Sequence, residues 1–233
     1  MHLVRLEEGG REAGVFRFDP RRFARPVRAR PSVISIGARF EHDRRRTAAF
    51  IESVYLARYD ARIRAHYPNL VAVRAADGTL AAAAGFRIAR QGRLFLEQYT
   101  GDDVDRIVGV ARERIVEIGN LASAGGGASV FLFAALAAYL DVAGISCAVI
   151  TGTASLERRL NLLGLQPRRI CAADPALLTG EPRDWGTYYD RSPHVLSGDI
   201  CHAAARLGEL FGTDFFLPRP RLFPQLHFEP ATT

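Results

Sequence analysis

The stretch Glu117-Ile118-Gly119-Asn120-Leu121-Ala122 runs into Ser123-Ala124-Gly125-Gly126-Gly127-Ala128-Ser129 and then into an uncharged segment from Val130 to Leu140. A strand, a glycine loop and a helix start in that order make a backbone cradle for phosphates. The glycines let the main chain approach an anion, and the first helical N–H groups face it with the positive end of the helix dipole. Ala128 and Ser129 stand at the helix start, where a large side chain would fill the phosphate position. The expected ligand is a nucleotide-bearing substrate. Taken alone, the three glycines equally fit a flexible strand-to-helix loop.

Other chemistries find little support. Cys147, Cys171 and Cys201 are widely spaced and odd in number, which argues against a disulfide scaffold or a zinc site and fits a reducing, cytoplasmic setting. No Ser-His-Asp order, metal-ligand spacing or Gly-Lys-Ser/Thr phosphate loop occurs, and no metal site is expected. His194 follows Pro193 without an identifiable partner and reads as a surface residue.

The 233 residues are enough for one main domain. With 48% hydrophobic and 24% charged residues, the composition is that of an ordinary globular protein. Every one of the 31 basic residues is Arg, and the net charge of +6 favours phosphates, an acidic carrier protein or anionic lipid as partners. A nucleic-acid partner is not expected. No apolar core of signal-peptide length precedes Arg11. The uncharged run from Ile118 to Leu140 is interrupted by Asn120 and the glycines, and the piece after Ser129 falls short of the ~20 residues of a spanning helix. Stable membrane insertion is therefore not expected.

These elements must position the loop. Residues 1–30, rich in Arg with Gly and Pro, read as an arm able to bury little surface, with one short hairpin near Gly14 to Phe18. Residues 31–205 read as the domain, and residues 206–233 as a Pro-rich extension. Within the domain, Pro31 to Gly37 predicts a strand, Asp43 to His66 helix, and the runs on either side of Ala76-Asp77-Gly78 a hairpin. Phe95 to Tyr99 predicts a short strand and Asp102 to Val110 a helix. Ile115 to Ala122, Val130 to Val142 and Cys147 to Thr151 form a parallel strand–helix–strand unit. A helix over Ser155 to Leu163, a segment to Ile170, a last strand over Trp185 to Tyr189 and a helix over Asp199 to Phe211 complete the chain.

This order of elements resembles the GNAT acyltransferase fold, an α/β (α+β) arrangement with a central mixed, twisted sheet flanked by helices. Phe95-Leu96-Glu97-Gln98-Tyr99, Glu117-Ile118-Gly119-Asn120-Leu121-Ala122 and Trp185-Gly186-Thr187-Tyr188-Tyr189, with Pro193 following, resemble the thermostable hemolysin family over roughly residues 30–205. The Glu-containing strand is also similar to that of acyl-homoserine-lactone synthases. The resemblance implies an N-acyltransferase that moves an acyl group from a coenzyme A or acyl-carrier-protein thioester to a small amine. No permanently bound cofactor is expected; acyl-CoA or carrier-protein phosphopantetheine is the co-substrate. Two other functions are implied as alternatives: a membrane-active haemolytic protein, from the family's name, and a non-catalytic binding protein on the same fold.

The resemblance also distributes roles. Gly125, Gly126, Gly127, Ala128 and Ser129 would hold the pyrophosphate, while Asn120, with Leu121 and Ala122 on the same strand, would meet the pantetheine arm. Glu117 would bind or deprotonate the amine, or else pair with Arg112 or Arg114 as a structural salt bridge. Glu97 would be its partner carboxylate on a neighbouring strand, or an edge-strand charge. The position that usually carries the tyrosine acid for the leaving thiolate holds Leu160, and the loop lacks the usual basic or Gln residue before its glycines, with Ala122 or Ala124 there. Tyr188 or Tyr189 is the substitute acid, or a core aromatic beside Trp185. Arg158 and Arg159 would meet a 3′-phosphate or an acidic carrier protein, or remain solvated.

Overall fold

In chain order the strands and helices are β1 (His2–Glu8), β2 (Arg11–Phe18), β3 (Pro31–Gly37), α1 (Arg44–Tyr59), β4 (Asn69–Ala75), β5 (Leu80–Ile88), α2 (Glu97–Thr100) and α3 (Val104–Val108). They continue as β6 (Ile115–Ser123), α4 (Ala128–Val142), β7 (Cys147–Gly152), α5 (Ala154–Leu162), β8 (Arg168–Ala172), β9 (His194–Asp199), α6 (Ile200–Phe211) and β10 (Leu217–Pro218). The computed structural model describes residues 2–19, 22, 28–37, 43–179, 182–212 and 217–218. The strands form one mixed sheet in the order β10-β2-β1-β3-β4-β5-β6-β7-β9-β8. β6 and β7 run parallel and are joined through α4, as the strand–helix–strand pattern requires.

Both faces of the sheet are covered. On one, α4 and α6 pack over Val71, Val73, Phe86 and Val116. Nearly every side chain of α4 is buried there, from Ala128 to Leu140, which explains a helix that is apolar all round. No helix among the described residues is long and apolar enough to cross a membrane. On the other face lie α1 and a tyrosine-rich cluster containing Tyr55, Tyr67 and Tyr188.

Several sequence expectations change. Residues 2–18 are not an arm: β1 and β2 pair as a hairpin and β1 joins β3 in parallel. Val4, Leu6, Phe16 and Phe18 are buried, a two-residue apolar period that the interleaved arginines obscure. The boundary expected at residue 205 falls inside α6, whose Leu207 is fully buried. Beyond Gly212 only β10 is described, paired to β2; the rest of the expected extension lies outside the described residues.

Phe95 to Tyr99 is a turn leading into α2 rather than a strand, because the Glu97 carboxylate turns back onto the Leu94 N–H at 2.7 Å. Trp185 to Tyr189 is likewise built of tight turns, with Gly186 at φ +49°. A Cβ at Gly186 would overlap the Tyr59 carbonyl, and Thr187 N–H donates to that same oxygen at 2.7 Å. The motif is thus clamped onto the C-terminal end of α1. β9, which lies between β7 and β8, was not expected from the sequence either.

Candidate active site

A bulge in β6 creates the site. Ala83 pairs with Ala122 and Gly85 with Gly119, so Asn120 and Leu121 together stand opposite Ala84. Asn120 absorbs the extra residue at φ +49°, a left-handed conformation that Asn tolerates better than most residues. Face parity shifts across it: Val116 and Ile118 are followed by Leu121 on the α4 side, whereas Ala122 joins the tyrosine cluster opposite. Pairing of β6 with β7 ends at Ile118 and Ile150. Past that point the two parallel strands have no ladder between them, and an opening begins.

One end of the opening is basic, and Ser123 and Ser129, which bracket the glycine loop, line it. Gly125, Gly126 and Gly127 have φ of +102°, +63° and +85°, so all three need a backbone that side chains resist. The N–H groups of Gly126, Gly127 and Ser129 find no acceptor among the described residues, whereas those of Ala128 and Val130 bond back to Gly125 and Gly127. Ser129 is buried at the helix start, and its Oγ accepts from Arg159 Nη1 at 2.9 Å. Arg159 and Arg58, from α5 and α1, line the groove with Ser123 and Ser129. These cations stand where the loop itself has none. The sequence reading chose Arg159 but not Arg58. Arg28 and Ala29 flank the loop on its outer side, and Ala29 N–H donates to the Gly126 carbonyl at 2.9 Å.

The other end is aromatic. Tyr67 lies across the adjacent pair Gly85 and Gly119; a Cβ at Gly85 would meet Tyr67 Cβ at 2.6 Å and its ring at 2.7 Å, and one at Gly119 would overlap its hydroxyl. Phe95 and Trp185 stack obliquely at 5.6 Å, Trp185 and Tyr188 at 5.4 Å, and the Tyr99 and Tyr189 hydroxyls bond at 2.5 Å. All of these rings line one cleft with His66, Asn120 and Thr151. The three sequence motifs, remote along the chain, converge here. Tyr67 and Thr151 were not found from sequence; the paired glycines at 85 and 119 were the signal for a ring lying over them.

Tyr55, Thr151 and Tyr188 border both ends. The Tyr188 hydroxyl donates to the Thr151 carbonyl at 3.2 Å. Burial, then the neighbouring Tyr55, Tyr59 and Tyr189, raise its pKa well above the ordinary phenol value. Leu160, at the usual acid position, is packed in the core on the α4 side.

The carboxylates differ from expectation. Glu117 makes no salt bridge among the described residues; its Oε2 and Oε1 accept the N–H groups of Phe95 and Leu96 at 3.0 and 2.8 Å. It is buried behind the cleft and fixes the Phe95 wall. Burial raises its pKa, partly offset by the Leu96 and Phe95 N–H groups and by Arg87. Glu97 is neither on a strand nor paired across one with Glu117. It sits in α2, 2% exposed, accepting from Leu94 and Val104 N–H and from Arg112 Nη1 at 2.6 Å. Burial pushes its pKa up, but Arg112 and the backbone donors outweigh that and leave it lowered. Glu97 closes a loop and does not line the opening. Arg112 also holds Asp105 at 3.0 Å, so it is committed away from Glu117.

The sequence matches the family model described as thermostable hemolysin over residues 38–204. The chain belongs to the thermostable hemolysin family. No curated protein matches it. Among solved structures, this hemolysin-family chain is similar to the AHL synthase LasI, with a TM-score of 0.57 at 13% identity, covering 80% of this chain and 97% of that one. It is also similar to TofI in an apo form, with a TM-score of 0.53 at 16% identity over 75% of this chain and 95% of that one. A third is BjaI, a CoA-dependent acyl-homoserine lactone synthase with SAM and isopentyl-CoA, at a TM-score of 0.51 and 10% identity over 72% and 82% of the two chains. At such identities the likeness shows the fold alone, a mixed twisted sheet flanked by helices that this hemolysin-family chain shares with these solved structures.

Proposed function

We propose that the protein is an N-acyltransferase that moves an acyl group from a coenzyme A or carrier-protein thioester to a small amine. The observation that carries this reading is the parting of β6 and β7 beyond Ile118 and Ile150, with a groove lined by Arg58, Ser123, Ser129 and Arg159 at one end and an aromatic cleft at the other. A pantetheine arm laid along the freed edge of β6 finds backbone partners as an added strand would. Its phosphates reach the unpartnered N–H groups of the glycine loop, with Arg159 and Arg58 beside them. The thioester then sits by Tyr55, Thr151 and Tyr188, the residues shared by the two ends. BjaI is named as CoA-dependent and was solved with isopentyl-CoA, which supports an acyl-CoA donor on this fold.

In the reaction the neutral amine nitrogen attacks the thioester carbonyl carbon, a C–N bond forms, the C–S bond breaks, and one amine proton is lost as the thiolate gains one. A backbone N–H released by the bulge at Asn120 meets the carbonyl oxygen as negative charge develops there. Tyr188 turns its hydroxyl from the Thr151 carbonyl and passes its proton to the departing sulfur, and the proton lost by the amine restores the phenol. Glu117 acts as a positioning residue, holding the Phe95–Leu96 segment and placing a carboxylate behind the cleft. The test is thiol release from a panel of acyl-CoA donors of different chain length, with and without primary amines. Amine-dependent thiol release with formation of the amide is expected; no release from any donor, including acylated carrier protein, would refute the reading.

A further inference from the structure

Two buried polar atoms of the described residues lack a hydrogen-bond partner, Asn120 Oδ1 and Thr151 Oγ1, and both residues line the aromatic cleft. An orphaned buried acceptor costs roughly 1–3 kcal/mol, so a pair in one cleft marks a place where a donor belongs. Asn120 is 6% exposed and is held there by a bulge that itself has a conformational cost. The remaining walls are ring faces, which attract cations. The residues lining the cleft include no Arg, Lys, Asp or Glu. His66 is the one ring there that could turn cationic, and burial, with a contribution from Arg87, lowers its pKa, so it is neutral at pH 7. Arg87 donates to the Arg93 carbonyl and does not line the cleft.

We propose that this cleft is the acceptor site and that it takes a primary amine carrying no carboxylate, its amino group donating to Asn120 Oδ1 and Thr151 Oγ1. This deepens the acyltransferase reading and rests on it for the acceptor's role. A neutral primary amine has two N–H bonds and one lone pair; with both hydrogens engaged by the two orphaned acceptors, the lone pair is left for the carbonyl carbon. The cleft, of about 20 Å³, takes the amino group, and the apolar or aromatic body lies at its mouth against the rims of the lining rings, while the buried Glu117 carboxylate behind Phe95 adds to the preference for positive over negative charge. A carboxylate on the acceptor would have to enter without a cationic partner.

The test is direct binding of phenethylamine and of phenylalanine, which differ by that carboxylate, measured by ligand-observed NMR with and without saturating coenzyme A. The wild type is expected to bind phenethylamine at least about tenfold more tightly than phenylalanine. Thr151→Val and Asn120→Gly are each expected to weaken phenethylamine about tenfold, and Thr151→Ser to restore it. Thr151→Val should meanwhile unfold at the same denaturant concentration as wild type or a higher one, because it removes an unsatisfied hydroxyl. Equal or tighter binding of phenylalanine, unaltered amine binding in both variants, or no amine binding in either condition would overturn the proposal. Amine binding without any affinity for acyl donors would instead leave the cleft assignment standing and refute the acyltransferase reading.

Discussion

Tyr67 lies across Gly119, the glycine at the centre of the motif on β6, so closely that a Cβ there would overlap the phenol oxygen. The glycine serves a ring placement: the motif needs it because an aromatic wall of the cleft occupies its side-chain space. Gly119→Ala is expected to cost ~1–3 kcal/mol through overpacking, read as a lower urea midpoint. Gly198→Ala is the control, since no atom lies within 4 Å of a Cβ there, and it should stay within about 0.5 kcal/mol of wild type. Equal effects at the two positions would contradict the packing account.

Removing Arg112 should expose the cost of a buried carboxylate. Arg112→Ala leaves Glu97 without its charged partner, a loss of about 3–5 kcal/mol at neutral pH. In the wild type the folded pKa of Glu97 lies below 4.5, so its stabilisation is present above that value and is lost as pH falls through the folded pKa. In the variant, burial dominates and the carboxylate protonates more readily. The stability gap between the two proteins, followed by denaturant titration from pH 7 downward, should therefore narrow in acid. A constant gap would mean that Glu97 is not the group left unpaired.

Glu117 should tilt the pH profile the other way. Its folded pKa is raised, so between the unfolded and folded values the native state binds more protons and stability falls as pH rises. Glu117→Gln removes the titrating group and should flatten that part of the curve. An unchanged slope would show that another group produces it.

The glycine loop and the family motifs were legible in the sequence because spacing and residue type carry them. Glu117 and Asn120 were likewise visible, but their surroundings were not. What makes Glu117 a bracket is the pair of N–H groups of Phe95 and Leu96, more than twenty residues away, and no local pattern announces such a contact. The expected strand at Phe95 to Tyr99 failed for the same reason: Phe95 and Tyr99 face a cleft while Leu96 is buried in the core, and Glu97 is satisfied by Arg112 instead of solvent. The N-terminal hairpin was expected only near Gly14 to Phe18 and its place in the sheet was missed, because arginines alternate with the buried residues of β1 and β2. The bulge at Asn120 has no reliable signature, since Asn at a positive φ is recognised only once the register of β5 against β6 is known.

Arg159 makes a prediction that separates phosphate recognition from the rest of the donor. It is exposed, and its contact to Ser129 lies at the start of α4. Arg159→Ala should weaken coenzyme A about tenfold, the size expected for one charge-assisted bond, while leaving pantetheine binding and the unfolding midpoint unchanged. The wild-type affinity should also fall with added salt more steeply than the variant's. Equal loss for pantetheine and coenzyme A would place the effect elsewhere in the groove.

The central claim is that the opening between β6 and β7 holds a pantetheine thioester, and titration calorimetry of the purified protein with acyl-CoA tests it most directly. Saturable binding with one site per chain, weakened by Arg159→Ala and by a bulky residue at Ser123, which lines the groove, is the predicted result. Absence of binding to acyl-CoA and to acylated carrier protein alike, or binding indifferent to both substitutions, would contradict it.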